Sequence, residues 1–162
     1  MNYLGIEKKD LIATTKKLNT LLANYHLYYQ NLRNFHWNVS GENFFDLHTQ
    51  FEALYDTAKE NIDAVAERIL TLRMRPLSNL GEYLLSAEIE EAGTISNDRE
   101  MVRFILDNHR ILIQDMREVL QAASSAGDEG TVDLIGGMLQ SLEKKSWMLD
   151  AWQMQHQASL VA

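Results

Sequence analysis

The sequence contains no cysteine, which removes disulfides, zinc ribbons, iron–sulfur clusters and thiol catalysis together. Any metal must therefore be held by histidine and carboxylate. No run of about eighteen apolar residues is present to cross a bilayer, and the opening MNYLGIEKKDL lacks the apolar segment of a secretory signal; the expectation is a cytoplasmic protein. Positive charge is in short supply. Fifteen Lys and Arg stand against 23 Asp and Glu, a formal net charge of -8, which disfavours a body that adheres to phosphate backbones and favours one that attracts cations. Internal repeats, linkers and low-complexity tracts are also missing. The 162 residues, 46% of them apolar, read as one domain, 1–162, large enough to bury its own core.

Between Asn43 and Arg75 there is neither proline nor glycine, and apolar residues recur at Phe44, Leu47, Phe51, Leu54, Ala58, Ile62, Val65, Ile69 and Leu72. That is the helical period, and it predicts one long helix over this stretch. Beside the stripe, at steps of three and four, lie His48, Glu52, Asp56, Glu60, Asp63 and Glu67, a second row on the same helix. Asp63 and Glu67 can grip one hard cation, and an added imidazole suits the site to iron or zinc more than to magnesium or calcium. His48 is the candidate imidazole. It stands fifteen residues from Asp63, roughly 22 Å at the helical rise, against metal–ligand bonds of about 2 Å. One chain cannot close that site. Two copies of the helix crossing antiparallel about a twofold axis near Tyr55 to Thr57 bring His48 and Glu52 of one level with Asp63 and Glu67 of the other, and symmetry makes two such sites. His36, just before the turn into this helix, can reach the same centre from the side of His48. Taken alone, it reads more readily as a core histidine satisfied by a backbone carbonyl. Asp56 and Glu60 read as a solvated face.

A first helix is expected from about Lys8 to His36, with Leu11, Leu18, Leu22, Tyr25, Tyr29, Leu32 and His36 on one stripe. Asn38 to Gly41 makes the turn, with Ser40 as the cap of the next helix, and Trp37 is expected close to the centre. Pro76 stops the second helix at Arg75. Beyond it only a short helix, Asn79 to Leu85, fits before a third long helix that opens at Asn97-Asp98-Arg99-Glu100 and ends at Gly127. Its stripe is Met101, Ile105, His109, Leu112, Met116, Val119 and Ala123; His109 has no carboxylate at helical spacing on its inner side and reads as structural. A fourth long helix begins near Asp128 and runs through Val132, Ile135, Leu139, Leu142, Leu149 and Trp152. The fold class is all-α: an antiparallel four-helix bundle with a short helix in the long crossover between helices 2 and 3. A di-iron centre inside one such bundle is built from Glu-x-x-His motifs. The residues three before the five histidines are Ala23, Arg33, Phe45, Leu106 and Gln153, so that centre is not available.

The spacing of His36, His48, Glu52, Asp63 and Glu67, with the run HWNV from His36 and Ala66-Glu67-Arg68 at the end, closely resembles the signature of the Dps family, the ferritin-like mini-ferritins of starved bacterial cells. The resemblance covers nearly the whole chain, including the segment after Pro76 and Trp147-Met148. It implies a ferritin-like domain that assembles as a homo-oligomer, a hollow dodecamer with tetrahedral symmetry. It implies iron at a mono- or di-iron ferroxidase centre on the twofold interface, with His36, His48, Glu52, Asp63 and Glu67 as ligands. Glu52 is the departure, since relatives frequently carry the shorter Asp there, and it has the reach to shift a second metal position. The implied function is iron storage and detoxification: Fe(II) is oxidised with hydrogen peroxide, the ferric mineral is stored in the shell, and Trp37 intercepts stray radicals. The short crossover helix then belongs to the twofold contact. Asp128 and Asp133 match the region that lines the threefold pores of such shells, where acidic rings draw iron inward; solvated capping residues are an equal reading of both.

Two other readings stay open. Many relatives bind DNA through basic tails, but here Lys8, Lys9, Lys16 and Lys17 are interleaved with Glu7 and Asp10, and the C-terminal QASLVA carries no basic residue. Those lysines read as the solvated start of the first helix, so DNA binding is expected to be weak. The alternative function is nevertheless a DNA-binding, nucleoid-compacting protein with secondary metal binding. A third reading is an oligomer in which zinc merely holds the dimer together.

Overall fold

The computed structural model describes residues 3–158, so the C-terminal QASLVA lies partly outside the described residues. After a 3-10 turn at Lys8–Leu11 come α1 (Ile12–Asn38), α2 (Phe44–Thr71), the short α3 (Leu80–Ser86), α4 (Asp98–Ala126) and α5 (Glu129–Ala158). The architecture is the expected all-α bundle of four long helices with one short helix in the crossover. Several boundaries differ from the sequence reading. The residues from Lys8 form a tight turn rather than the start of α1, because Glu7 is extended and lends no side-chain cap to an α-helical start. Ser40 caps nothing: α2 starts after Asn43, whose amide donates instead to Asp98 Oδ2 at 2.8 Å and ties the start of α2 to that of α4.

Pro76 does not end α2. The helix stops at Thr71, where Arg73 turns left-handed at φ 61°. The Arg73 N–H then reaches Leu70 O at 2.8 Å and the Met74 N–H reaches Ile69 O at 3.1 Å, a pair of bonds that satisfies orphan carbonyls of the last turn. Gly127 closes α4 in the same way at φ 68°, with the residue that adopts this conformation without a steric cost.

Side-chain contacts set the register. Tyr25 pairs with Asn61, Tyr29 with Tyr55 and His36 with His48, so α1 and α2 run antiparallel. Asn24 with Asp115 and Tyr28 with His109 make α1 antiparallel to α4 as well. Arg117 with Glu143 and Gln153 with Arg99 do the same for α4 and α5. Because α1 opposes both α2 and α4, those two are parallel, and the chain between them must travel the length of the bundle. It does so along α1, held by asparagines. Asn19 accepts from Leu77 N at 2.8 Å, Asn24 from Glu88 N and Ile89 N at 2.8 and 2.9 Å, and Asn31 from Ala92 N at 2.9 Å. Asn34 donates to Gly93 O at 2.9 Å. A crossover without ladder partners needs such acceptors for its backbone N–H groups.

Tyr28, His109 and Ser146, between the helices, are matched in donors and acceptors. Ser146 Oγ–H donates to Leu142 O at 2.7 Å, so its oxygen accepts from His109 Nδ1–H at 2.8 Å. His109 Nε2 is therefore the acceptor for the Tyr28 hydroxyl, also at 2.8 Å. Burial pushes this imidazole down to about 3 and, with Lys145 nearby, keeps it neutral. Burial pushes the Asp115 carboxyl up to about 6, against the opposing hydrogen bond from Asn24. The two groups bear on stability with opposite signs. The unfolded chain takes up the histidine proton below its ordinary value of 6.5 and the fold only near 3, so between those values stability rises with pH. The Asp115 proton is held in the fold to about 6 and in the unfolded chain only to 3.8, so across that window stability falls with pH. Asp115→Asn, which keeps the shape, is expected to leave the histidine effect unopposed. Stability from chemical denaturation then rises with pH between about 4 and 6 more steeply than in the parent, by up to about 1 kcal/mol per pH unit. An unchanged slope would count against the buried network as drawn.

Candidate metal centre

His36 stands in the last turns of α1 and His48 in the second turn of α2, facing each other across residues 39–43. Each imidazole bonds to the other's backbone: His36 Nδ1 lies 2.8 Å from His48 O, and His48 Nδ1 lies 2.8 Å from His36 O. A carbonyl oxygen only accepts, so both Nδ1 atoms carry the proton and both Nε2 atoms keep a free lone pair. That is the tautomer a metal requires, held by backbone acceptors of the kind that orient ligating histidines. The bond from His48 also satisfies a carbonyl near the C-terminal end of α1, where intrahelical partners run out.

The rings stack at 3.8 Å and 19°. Phe44 lies parallel on His48 at 4.9 Å, and Tyr55 meets His36 edge-on at 5.3 Å. Glu52 follows His48 by one helical turn, which places its carboxylate beside the imidazoles. One donor atom each from His36, His48 and Glu52 lies within 4.8 Å of the others, the one such convergence of three His, Asp or Glu among the described residues. His36 is buried, His48 half-buried and Glu52 exposed, so the donors open outward from the bundle. Two imidazoles and a carboxylate suit a borderline divalent cation such as Fe(II).

Asp63 and Glu67 do not join this group within the chain. Both are exposed, and α2 is an unbroken helix between His48 and Asp63, which leaves the roughly 22 Å of helical rise between the two halves. Their neighbour Arg68 turns the other way. Its guanidinium donates to Thr131 Oγ1 and pairs with the buried Asp128, fixing the rotation of α2 against the start of α5. Gly130 makes the approach possible, since a Cβ there would stand 2.9 Å from Arg68 Nη2. Asp128 is thus accounted for as a cap: it also accepts from Thr131 N, and at 1% exposure it lines no pore within the protomer. Asp133 is exposed. Trp37, one residue after His36, is 59% exposed in the single chain, with the Arg33 guanidinium 4.7 Å over its ring. Tyr55 was missed in the sequence reading although its place three residues after Glu52 was a signal.

The middle of the bundle, where an intrachain di-iron centre would sit, is otherwise occupied. Tyr28, His109 and Ser146 are bonded to one another there, and Lys145 donates to Thr57 Oγ1 at 2.7 Å. Metal binding should therefore be sensitive to the edge and not to histidines elsewhere. In Co(II) titrations followed by visible absorption, His36→Ala and His48→Ala are each expected to weaken binding by about tenfold or more. His26→Ala, which removes a ring stacked on Tyr83, should leave it within about twofold; equal losses in all three would disqualify the centre.

The comparisons with known proteins bear on family and fold. A family model described as a ferritin-like domain matches residues 15–156. A protein of Porphyromonas gingivalis named DNA protection during starvation protein is 40% identical over 152 residues, which are 94% of this chain and 96% of the relative. The crystal structure of a Dps protein from Vibrio cholerae O1, described as a member of a broad superfamily of ferritin-like diiron-carboxylate proteins, superposes with a TM-score of 0.91 at 39% identity. That match covers 94% of this chain and 96% of the other. A Dps protein from Bacillus brevis gives 0.87 at 36% identity, covering 91% of this chain and 99% of the other. With its histidine pair at the α1–α2 turn and its short crossover helix, the chain belongs to the Dps family of ferritin-like proteins.

Proposed function

We propose that this protein stores and detoxifies iron in the cytoplasm: it is a ferroxidase that oxidises Fe(II), with hydrogen peroxide as oxidant, at centres shared between two chains, and holds the ferric mineral in a hollow dodecameric shell. The observation that carries the reading is the divided donor set. His36, His48 and Glu52 converge at one end of α2, while Asp63 and Glu67 stand exposed near the other. An antiparallel crossing of two α2 helices completes both sites at once. Iron is the substrate here. The imidazoles, oriented by their Nδ1 bonds, receive Fe(II), and the carboxylates of both chains favour the harder Fe(III) product. Two Fe(II) supply the two electrons that one peroxide takes up, with two protons, to give two waters and two Fe(III), so no hydroxyl radical is released. Exposed acids such as Asp133 and the net charge of -8 favour the passage and nucleation of iron. The same charge weighs against DNA compaction as the main activity.

Anaerobic Fe(II) loading followed by peroxide tests the activity. The parent is expected to oxidise about two irons per peroxide, and the double variant His36→Ala, His48→Ala to be slower by about a hundredfold or more while the assembly persists. Matching rates would mean that the histidines are structural.

Sharing of the centre between chains is tested by mixing. The double histidine variant and a second variant, Asp63→Asn with Glu67→Gln, are each expected to be inactive. Each mixed dimer regains one intact site of two, so an equimolar mixture reassembled from dissociated subunits should recover about a quarter of the parental sites. Recovery of none would place the whole centre within one chain.

A further inference from the structure

Two buried asparagines of α1 hold the crossover, and α4 backs them differently. Asn31 accepts from Ala92 N at 2.9 Å, and its amide donates to Glu90 O at 2.9 Å and to Asn108 Oδ1 of α4 at 3.1 Å. Asn24 accepts from Glu88 N and Ile89 N, and its amide donates to Asp115 Oδ2 of α4 at 2.6 Å. All four side chains are buried, from Asn24 at 0% exposure to Asp115 at 7%. An asparagine on α4 suffices behind Asn31, and one at position 115 would accept from Asn24 equally well. What the carboxyl adds there is a charge that comes and goes with pH.

The surroundings oppose that charge. Burial acts most strongly against it, and the carboxylates of Glu88 on the crossover and Glu118 on α4 act in the same sense. The Asn24 amide and the Lys17 ammonium of α1 favour it, but Lys17 is already paired with Glu118. Protonated, Asp115 still accepts from Asn24 through its carbonyl oxygen, so the anchor holds. Ionised, it gains water and distance from Glu88 when residues 88 and 89 leave. That segment is the one free to move: α1 and α4 are fixed to each other through the core, whereas residues 86–93 bury a single side chain, Ile89. Segments with few buried apolar contacts open locally while the rest of the fold persists.

We propose that Asp115 is a pH-sensitive latch on the crossover: protonated, it backs Asn24 and the crossover stays docked; ionised, it lets Glu88 and Ile89 leave Asn24 while the four long helices stay packed. The docked form holds the Asp115 proton to about 6, and a form in which water reaches the carboxyl holds it only to the ordinary 3.8. Opening therefore grows as pH rises through that window, by at most about a hundredfold. The Asn31 anchor is backed by a neutral amide and does not follow.

Hydrogen exchange of the assembled full chain between about pH 4 and 7 tests the latch, read by mass spectrometry on peptides and divided by the intrinsic rate at each pH. Protection over residues 86–90 is expected to fall by about thirtyfold to a hundredfold across this range, while peptides from α2 and α5 keep theirs. Asp115→Asn should abolish the fall and leave the crossover protected at neutral pH. Glu88→Gln, a change at an exposed side chain, should make the fall smaller, because one of the charges that oppose ionisation is gone. Constant protection in the parent overturns the inference. So does a fall that persists undiminished in Asp115→Asn, or one shared equally by α2 and α5, which reports unfolding of the whole chain. Should Asp115→Asn fail to assemble, Glu88→Gln decides alone, and an undiminished fall in it overturns the inference as well.

Discussion

The reciprocal bonds between the two histidines and each other's carbonyls fix more than the rings. They join the end of α1 to the start of α2 at two points, which sets the register of that helix pair, and they engage Nδ1 of both rings while leaving Nε2 out of these bonds. A single bond of this kind would hold one ring and let the other rotate. With both made, the orientation of the donors follows from the geometry of the turn, and no carboxylate is spent on it. Glu52 is then free to be a ligand.

The helices and their stripes were legible because burial on one face writes a 3.6-residue period into the sequence; the inward residues predicted for α4, from Met101 to Ala123, are all buried. The ends were less legible. Arg73 is a non-glycine residue in a left-handed conformation, and no local residue preference announces it, whereas Gly127 announced the end of α4. The path of the crossover was unreadable for a different reason. Its anchors, Asn19, Asn24, Asn31 and Asn34, share one face of α1, but asparagine on a helix face also reads as an ordinary solvated residue, so the pattern did not announce a crossover. At the centre, the fifteen-residue separation of His48 from Asp63 came from spacing, while the full ligand set, His36 and Glu52 included, came from the family resemblance. The tautomer, the stacking of Phe44 and the place of Tyr55 depend on how two helices face each other, which one-dimensional spacing does not contain.

The middle and the edge of the bundle divide the chemistry between them. In the middle, every polar group named has its partner in the same chain, and the Lys145 ammonium beside Thr57 adds a positive charge that opposes a bound cation. Burial holds His109 neutral there, in a bonded chain with no lone pair to spare. At the edge, the two imidazoles are bonded through Nδ1 to backbone carbonyls, which leaves Nε2 for a ligand. Arg68 sits at the boundary of the two regimes. By reaching inward to Asp128 and Thr131 it commits α2 to one rotation, and that rotation leaves Asp63 and Glu67 outside.

A divided centre also couples assembly to loading. One half carries the single carboxylate of Glu52 and the other the two of Asp63 and Glu67. In the proposed pairing, bringing the halves together without a cation places like charges close to one another. A divalent cation reverses the sign of that encounter. On the function proposed above, iron binds the paired chains better than the separate ones and, by linkage, favours pairing by the same free energy with which pairing favours iron. Residues that form a centre inside a single chain impose no such condition. On that proposal, the split along α2 makes the assembled form the one in which iron has a complete site.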